Sequence, residues 1–306
     1  MRLSRPEQFA ESVRVQKSAW GQNVSGTIPA HLLIAAQHHG GLVLGAYDGR
    51  RMVGVLFGIT ALDNGRAYHY SHITGVARSH QSKGVGFKLK LAQREHVIKR
   101  GQSVVKWTHD PLQAGNAYFN IRKLGAICNT YHRELYGRLD DSLNWGRLTD
   151  RFEVEWHIKS KRVMERVRGY EPASLAELFA EGVEPVNRTT NTSFGQRLPV
   201  SARLGLKGPR LLVEISRNIT RVRDVSLGAA NSWTLHARRI FENYFDRGFS
   251  VTDVIVDNDE DRIFYLLSRS TIRESAEFSG KVESSHQHLP GLARTDQPPL
   301  TVTQRD

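Results

Sequence analysis

Apolar side chains recur at helical spacing near the start of the chain. Phe9, Val13, Ala19 and Trp20 follow a polar opening and predict a helix within residues 1–20. A second helix is expected over 28–39, where Pro29 suits a first turn and Gly40 with Gly41 ends the pattern. The period then shortens to that of strands. Runs at 42–47 and 52–60 flank Asp48 and Gly49, a hairpin signal, and Asp63, Asn64 and Gly65 turn the chain into a third run at 67–76. A long helix over 84–100 stops at Gly101, and a short strand comes next at 104–108. A helix at 116–124 closes on Gly125, and a strand is expected over 127–136. This order predicts an α+β fold with an antiparallel start and a βαβ crossover in the middle.

The texture changes after residue 160. Residues 169–208 are rich in Gly, Pro, Asn, Thr and Ser, so 161–208 reads as a linker or irregular segment after a first domain at 1–160. A strand at 210–215, a helix at 225–247 carrying Trp233, Leu235, Ile240 and Tyr244, and strands at 251–256 and 263–267 predict a smaller α+β domain over 209–274. The arginines Arg238 and Arg239 are expected to point outward from that helix. The polar stretch 275–306 lacks periodicity and is expected to be a disordered tail.

Composition narrows the class. The 306 residues are 39% apolar, enough for a core, which excludes a wholly disordered or fibrous chain. Lys and Arg exceed Asp and Glu by 43 to 31, a net charge of +12 that favours anionic partners, whether nucleic acid or smaller phosphorylated and carboxylate ligands. No run approaches a membrane span and the N-terminus lacks the apolar core of an export signal, so a cytoplasmic protein without a membrane partner is expected. The single cysteine, Cys128, builds neither an internal disulfide nor a thiolate metal site by itself, and no metal is expected.

The stretch that carries chemistry leaves a strand at Val76, makes a loop containing Gln81, Ser82, Lys83, Gly84 and Gly86, and enters a basic helix through Val85 and Phe87. Such a loop aims several backbone N–H groups at one anion, and the helix dipole favours phosphate oxygens there. Gly84 and Gly86 let a phosphate approach where a Cβ would collide, and Lys83, Lys88 and Lys90 add positive charge around that end. The stretch contains neither a GxxxxGK[ST] loop nor a GxGxxG fingerprint. An ordinary glycine turn before a solvated helix is the plain alternative.

Val76, Gln81, Gly84 and Gly86 at a strand-to-helix junction resemble V-x-x-x-x-[QR]-x-x-G-x-[GA], the coenzyme A pyrophosphate motif of the GNAT superfamily of acyl-CoA N-acyltransferases. Lys123, Leu124 and Gly125 resemble that superfamily's next motif. The resemblance spans about residues 1–158 and extends to a bacterial subgroup of large GNAT-like proteins. Supporting phrases include Ser71-His72, Trp107 through Leu112, Asn116-Ala117 and Asp150-Arg151-Phe152. It implies a mixed, mostly antiparallel sheet flanked by helices, with an acyl-CoA (acetyl-CoA or succinyl-CoA) as co-substrate. It also implies direct transfer of the acyl group to the amine of a small molecule, an amino acid in the resembling subgroup. A β-bulge is then expected to splay two neighbouring strands around the pantetheine arm. Residues 81–87 are implied to face the pyrophosphate, and Asn116 the pantetheine or the loop.

The proton-transfer groups are less determined. Alternation along 68–76 places His72 on one face with Tyr70, Thr74 and Val76, where an imidazole could serve as base, and His69 on the other. A hydrogen-bonded structural histidine is the competing reading. The superfamily's thiol-protonating tyrosine falls at Ile121 here, which leaves Tyr118 and Tyr131 as candidate acids, each of which could equally be a core tyrosine. Asp110 and Glu155 are reserve bases, although Asp110 before Pro111 also suits a turn. Cys128 reads as a small core residue. The second half carries no second glycine loop; packing, shaping an acceptor pocket or making a homodimer are its expected roles. A non-catalytic basic module binding RNA or tRNA is the alternative to the enzyme, resting on the charge and the tract 159–168.

Overall fold

The fold is described from a computed structural model covering residues 1–21, 26–137, 145–192 and 195–269. Helix α1 (Pro6–Trp20) begins at a proline whose fixed φ suits a first helical position, and Gln8 Oε1 accepts the backbone N–H groups of Ser4 and Arg5 at 2.9 and 3.0 Å. Helix α2 (Ala30–His38) comes next. Strands β1 (Leu42–Asp48) and β2 (Arg51–Asp63) form the expected hairpin. At the next turn Asn64 and Gly65 have φ of 48° and 75°, the doubly left-handed geometry that lets a two-residue loop match the sheet's twist into β3 (Arg66–Val76). α1 and α2 bury Phe9, Val15 and Leu33 against Val43, Val55 and Phe57 on one face. Helix α3 (Val85–Lys99) covers the other, with Leu89 and Val85 against Leu42, Leu44 and Leu56.

β4 (Val104–His109) lies parallel to β3. The chain then forms α4 (Ala114–Ala117), continues as a π-helical turn (Tyr118–Lys123) where one α-helix is expected, and reverses at Gly125, φ 78°. β5 (Ile127–His132) ends four residues early because the backbone turns at Glu134, φ 42°. β6 (Arg151–His157) inserts antiparallel between β4 and β5.

The segment 161–208, expected as linker or irregular, holds α5 (Lys161–Arg168), α6 (Leu175–Ala180), β7 (Glu184–Pro185), β8 (Asn187–Asn191) and β9 (Arg197–Ala202). Its helices are too short to show a period, but each has a serine cap: Ser160 accepts the N–H of Val163, and Ser174 that of Glu177. Beyond it come β10 (Arg210–Ile215), α7 (Ile219–Val225), α8 (Leu227–Asp246), β11 (Phe249–Asp257) and β12 (Arg262–Arg269). The single helix expected over 225–247 is two, because Ser226 leaves helical geometry and caps α8 through the N–H of Ala229. Leu235, placed on the apolar stripe by sequence, is 51% exposed. Residues 270–306, and with them the expected tail, lie outside the described residues.

One sheet runs through both halves in the order β1-β2-β3-β4-β6-β5-β11-β12-β10-β7, while β8 and β9 pair separately. Most neighbours are antiparallel. The halves meet at β5 and β11 through the single pair Cys128 and Val251. Side chains reinforce that thin ladder. Phe152 packs on Phe241 and Tyr265 with ring centroids 4.7 and 5.4 Å away, and Arg166 on α5 forks onto Asp253 on β11 at 3.1 and 2.6 Å, both side chains being buried. Among the described residues no helix is long and apolar enough to cross a membrane.

Asp253→Ala strands a buried guanidinium at this join, and equilibrium urea unfolding is expected to show a loss of about 3–5 kcal/mol. A change below about 1 kcal/mol would mean that the aromatic packing holds the halves together unaided.

Candidate active site

β3 and β4 share only two register pairs, His69 with Val105 and Tyr70 with Lys106. Beyond them the strands part, so residues 71–76 of β3 have no ladder partner on the β4 side. On the β2 side, Phe57 faces Ile73 while Gly58 faces Ser71, which makes His72 the extra residue of a β-bulge. The bulge corrects the simple alternation expected for this strand. Tyr70 and His72 lie on the α1 side, and so do Ile73 and Gly75, which pack against the α1–α2 core and Trp20; Ser71 faces α3. His69 is on the side opposite His72, as expected, and is buried.

At the mouth of the fork Ala77 makes the last bond to β2, donating to Val53 O at 2.9 Å. A 3-10 turn over Arg78–His80 comes next, and Gln81 folds back to donate from Nε2 to Val76 O at 3.0 Å. Ser82 and Gly84 have φ of 61° and 79°, so the loop reverses direction twice before α3 starts at Val85. Lys88 is the first residue whose N–H reaches back into the helix, to Gly84 O, leaving those of Val85, Gly86 and Phe87 directed outward. Neither glycine is required by crowding from the protein. A Cβ on Gly84 would meet nothing, so its role is the left-handed φ. One on Gly86 would stand 3.7 Å from Phe119 and 3.8 Å from Val76, so its absence widens a slot between β3 and the π-helical turn. Ser82 and Lys83 are exposed on the loop, and Asn116 is exposed on α4. Lys90 departs from the basic helix face expected of it: it is 2% exposed, beneath β3.

The remaining candidates separate. His72 is exposed at its tip, with its ring 6.0 Å from Phe57 and 6.2 Å from Tyr70, and desolvation against the surrounding protein lowers its pKa below the usual histidine value. Beside it Tyr70 and Thr108 both reach the Tyr136 hydroxyl, at 3.3 and 2.8 Å, and Arg151 stacks over the Tyr136 ring. Tyr118 is exposed in a different cleft, about 490 Å³, which it and Arg122 line on one side and Arg217, Asn258 and Ile263 on the other. Ile121, at the implied tyrosine position, is fully buried.

Tyr131 and Asp110, read as proton-transfer candidates, are held in ion-pair networks instead. The Tyr131 hydroxyl donates to Asp150 Oδ2 at 2.7 Å, and burial with that carboxylate raises its pKa far above the tyrosine range. Asp150 also accepts both arms of Arg238, at 2.8 and 2.7 Å, so that arginine points inward. Asp110 accepts the Leu112 N–H at 2.8 Å and Arg147 at 2.6 Å while buried, which is the turn chemistry its proline neighbour suggested. Glu155 is held down to about 2 by His157, against burial, with Lys106 adding to the effect. Cys128 is buried and its thiol is pushed up by desolvation, as a core cysteine should be. The basic tract 159–168 is partly consumed by structure: Arg162 binds the carbonyls of Gly125 and Thr252, and Arg166 binds Asp253. Among the described residues no group of three or more His, Cys, Asp and Glu is placed to hold a metal ion.

Sequence reasoning missed Tyr136, Thr108, Ser71 and the burial of Lys90. Tyr136 falls in a run expected as strand, but the strand ends before it, and no period marks a residue that works from a turn. Lys90 could have been suspected only from the α3 face it shares with Gln93 and Val97.

No family model matches the chain, and no curated protein matches it. Solved acetyltransferases are similar to it in arrangement. An aminoglycoside 6'-acetyltransferase type Ii is 16% identical, covering 53% of this chain and 97% of its own, with a TM-score of 0.42. The ribosomal-protein-S18-alanine N-acetyltransferase from Escherichia coli is 15% identical over 52% and 93%, with a TM-score of 0.40. An aminoglycoside 6'-N-acetyltransferase crystallised with coenzyme A is 14% identical over 53% and 97%, with a TM-score of 0.41.

Tyr131→Phe removes one hydrogen bond to a charged acceptor and is expected to lower unfolding free energy by about 1.5–3 kcal/mol. For Asp150, burial opposes ionisation but the Arg238 fork and the Tyr131 hydroxyl outweigh it, so its pKa is lowered from 3.8. Its contribution is therefore present above about pH 4 and is lost progressively as pH falls from there through the lowered folded-state value. The stability gap between wild type and Asp150→Asn, read by urea titration, should be narrower at about pH 3 than at about pH 7; an equal gap at both would contradict the ion-pair role.

Proposed function

We propose that this chain is an acyl-CoA-dependent N-acyltransferase that moves an acetyl or succinyl group to the amine of a small molecule, an amino acid by preference. One observation carries the reading: the unpaired edge of β3, opened by a two-pair fork, runs directly into an uncrowded loop of outward N–H groups. An extended pantetheine arm fits a free strand edge, and a diphosphate fits the loop at its end. Val76 ends that edge, residues 81–87 receive the diphosphate, and Asn116 flanks the arm from α4.

The chemistry is set by the groups that border the fork. Backbone N–H groups along 71–76 polarise the thioester carbonyl, and the amine attacks it directly. His72 takes the amine proton; its lowered pKa keeps it neutral, and so able to accept, at neutral pH. Tyr70, Thr108 and Tyr136 form the polar wall on the same side of the sheet, where the amine enters.

Acetyl-CoA and succinyl-CoA are expected to raise the melting temperature of the wild type, the stabilisation obeying RT ln(1 + [L]/Kd), about 2.7 kcal/mol at 100 Kd. Gly84→Glu places a carboxylate at the diphosphate in a strained φ, and the shift should vanish. Retention of the shift would remove the loop from the site.

His72→Ala should lower turnover by about 10²–10⁴-fold, read as free thiol released with an amino-acid panel. The wild-type rate should fall as pH drops below His72's depressed pKa, under 6.5, and the variant should lack that acidic limb. An unchanged profile would return His72 to a structural role.

A further inference from the structure

Lys90 is almost wholly buried, yet no carboxylate pairs with it among the described residues. Its ammonium donates to Ser71 Oγ at 2.9 Å and to Gln93 Oε1 at 3.1 Å, and it rests on the Trp107 ring, 3.8 Å from the centroid. Ser71 and Trp107 are the first residues of β3 and β4 beyond their last shared pair. Lys90 therefore stands across the root of the fork, on its α3 side. An ammonium is costly to bury, and a position filled only for packing would carry leucine or methionine. Because Ser71 Oγ already accepts from Lys90, its own proton is left to donate. Meanwhile the resemblance's acid position is Ile121, buried, and Tyr131 is committed to Asp150.

We propose that Ser71 is the acid that protonates the departing thiolate, with Lys90 behind it as positioning residue and proton source. The inference rests on the acyl-transfer reading and supplies a group that reading lacks. The amine nitrogen forms the new C–N bond at the thioester carbonyl, and its proton passes to His72 and on to water. On collapse of the tetrahedral intermediate the C–S bond breaks with its electron pair on sulfur. The Ser71 hydroxyl gives its proton to sulfur and receives one from Lys90, which is left as a neutral amine and regains its proton from water. Thioester plus amine becomes amide plus thiol.

Desolvation supports the assignment by holding Lys90 down to about 7, below the ~8.5 of a typical thiol, so the proton moves downhill. The charged and titratable neighbours do not reverse this. His69 on β3 is itself pushed down to about 3, by burial first and then by Lys90, His96 and Arg100, the last two at the far end of α3. β1 and β2 present Leu42, Leu44 and Leu56 to α3, and β4 presents Trp107.

The test is kcat against pH, from about 5.5 to about 9.5, with acetyl-CoA and a saturating amine, for wild type, Ser71→Ala, Ser71→Thr and Lys90→Met. Wild type and Ser71→Thr, which keeps the hydroxyl, should share a basic limb where Lys90 loses its proton. Ser71→Ala and Lys90→Met should fall by about 10²-fold or more and lose that limb, while KM for acetyl-CoA stays within a few-fold. A wild type without the limb, or a Ser71→Ala variant within about threefold of wild type that keeps it, overturns the proposal and leaves the acyl-transfer reading standing. Should Lys90→Met fail to fold, the Ser71 pair decides. If wild type neither binds acyl-CoA by thermal shift nor releases thiol, it is the acyl-transfer reading that fails.

Discussion

Everything at the site depends on how briefly β3 and β4 stay paired. Parallel strands joined over their full length would bury their N–H and C=O groups in each other and leave nothing for a ligand. Here the ladder stops after Tyr70 and Lys106, and the bulge at His72 turns the strand just beyond. A bulge bends its strand and increases its local twist, and this one lies two residues past the last pair of β3 with β4. Packing keeps the fork from closing: α1 and α2 hold Ile73 and Trp20 covers Gly75 on one side, while Lys90 and Trp107 fill the root on the other.

Much of the first half was legible in the sequence because its signals are local. Asp48 with Gly49 and Asn64 with Gly65 mark turns by backbone chemistry alone, and α3 is bounded by Gly84 and Gly101. The glycine loop was legible for the same reason. The fork was not readable from periodicity, since a bulge breaks the very alternation used to place side chains; it entered only through the family resemblance. The proton-transfer groups were least legible. Tyr131 and Tyr118 were equivalent as residue types, and only long-range partners such as Asp150 and Arg238 separate them, just as Arg147 claims the reserve base Asp110.

The second half shows the same contrast. Its long central strands are visible in one dimension, but the segment around α5 and α6 looks irregular there because short capped helices have no period to detect. Its charge is equally misleading. Arg162 and Arg166 belong to a basic run in the sequence but serve as bridges between β11 and the end of the π-helical turn in space.

The π-helical turn gives the molecule a coupling that no ladder supplies. Phe119 borders the slot at Gly86 and Lys123 lies 5.0 Å over the Phe87 ring, so one flank of the turn abuts the start of α3. From the adjoining flank Arg122 reaches Val254 O on β11. A single turn of chain thus touches the glycine loop at one side and the C-terminal strands at the other. The slot at Gly86 and the strand at Val254 therefore share one turn of chain, with Phe119 at the one and Arg122 at the other.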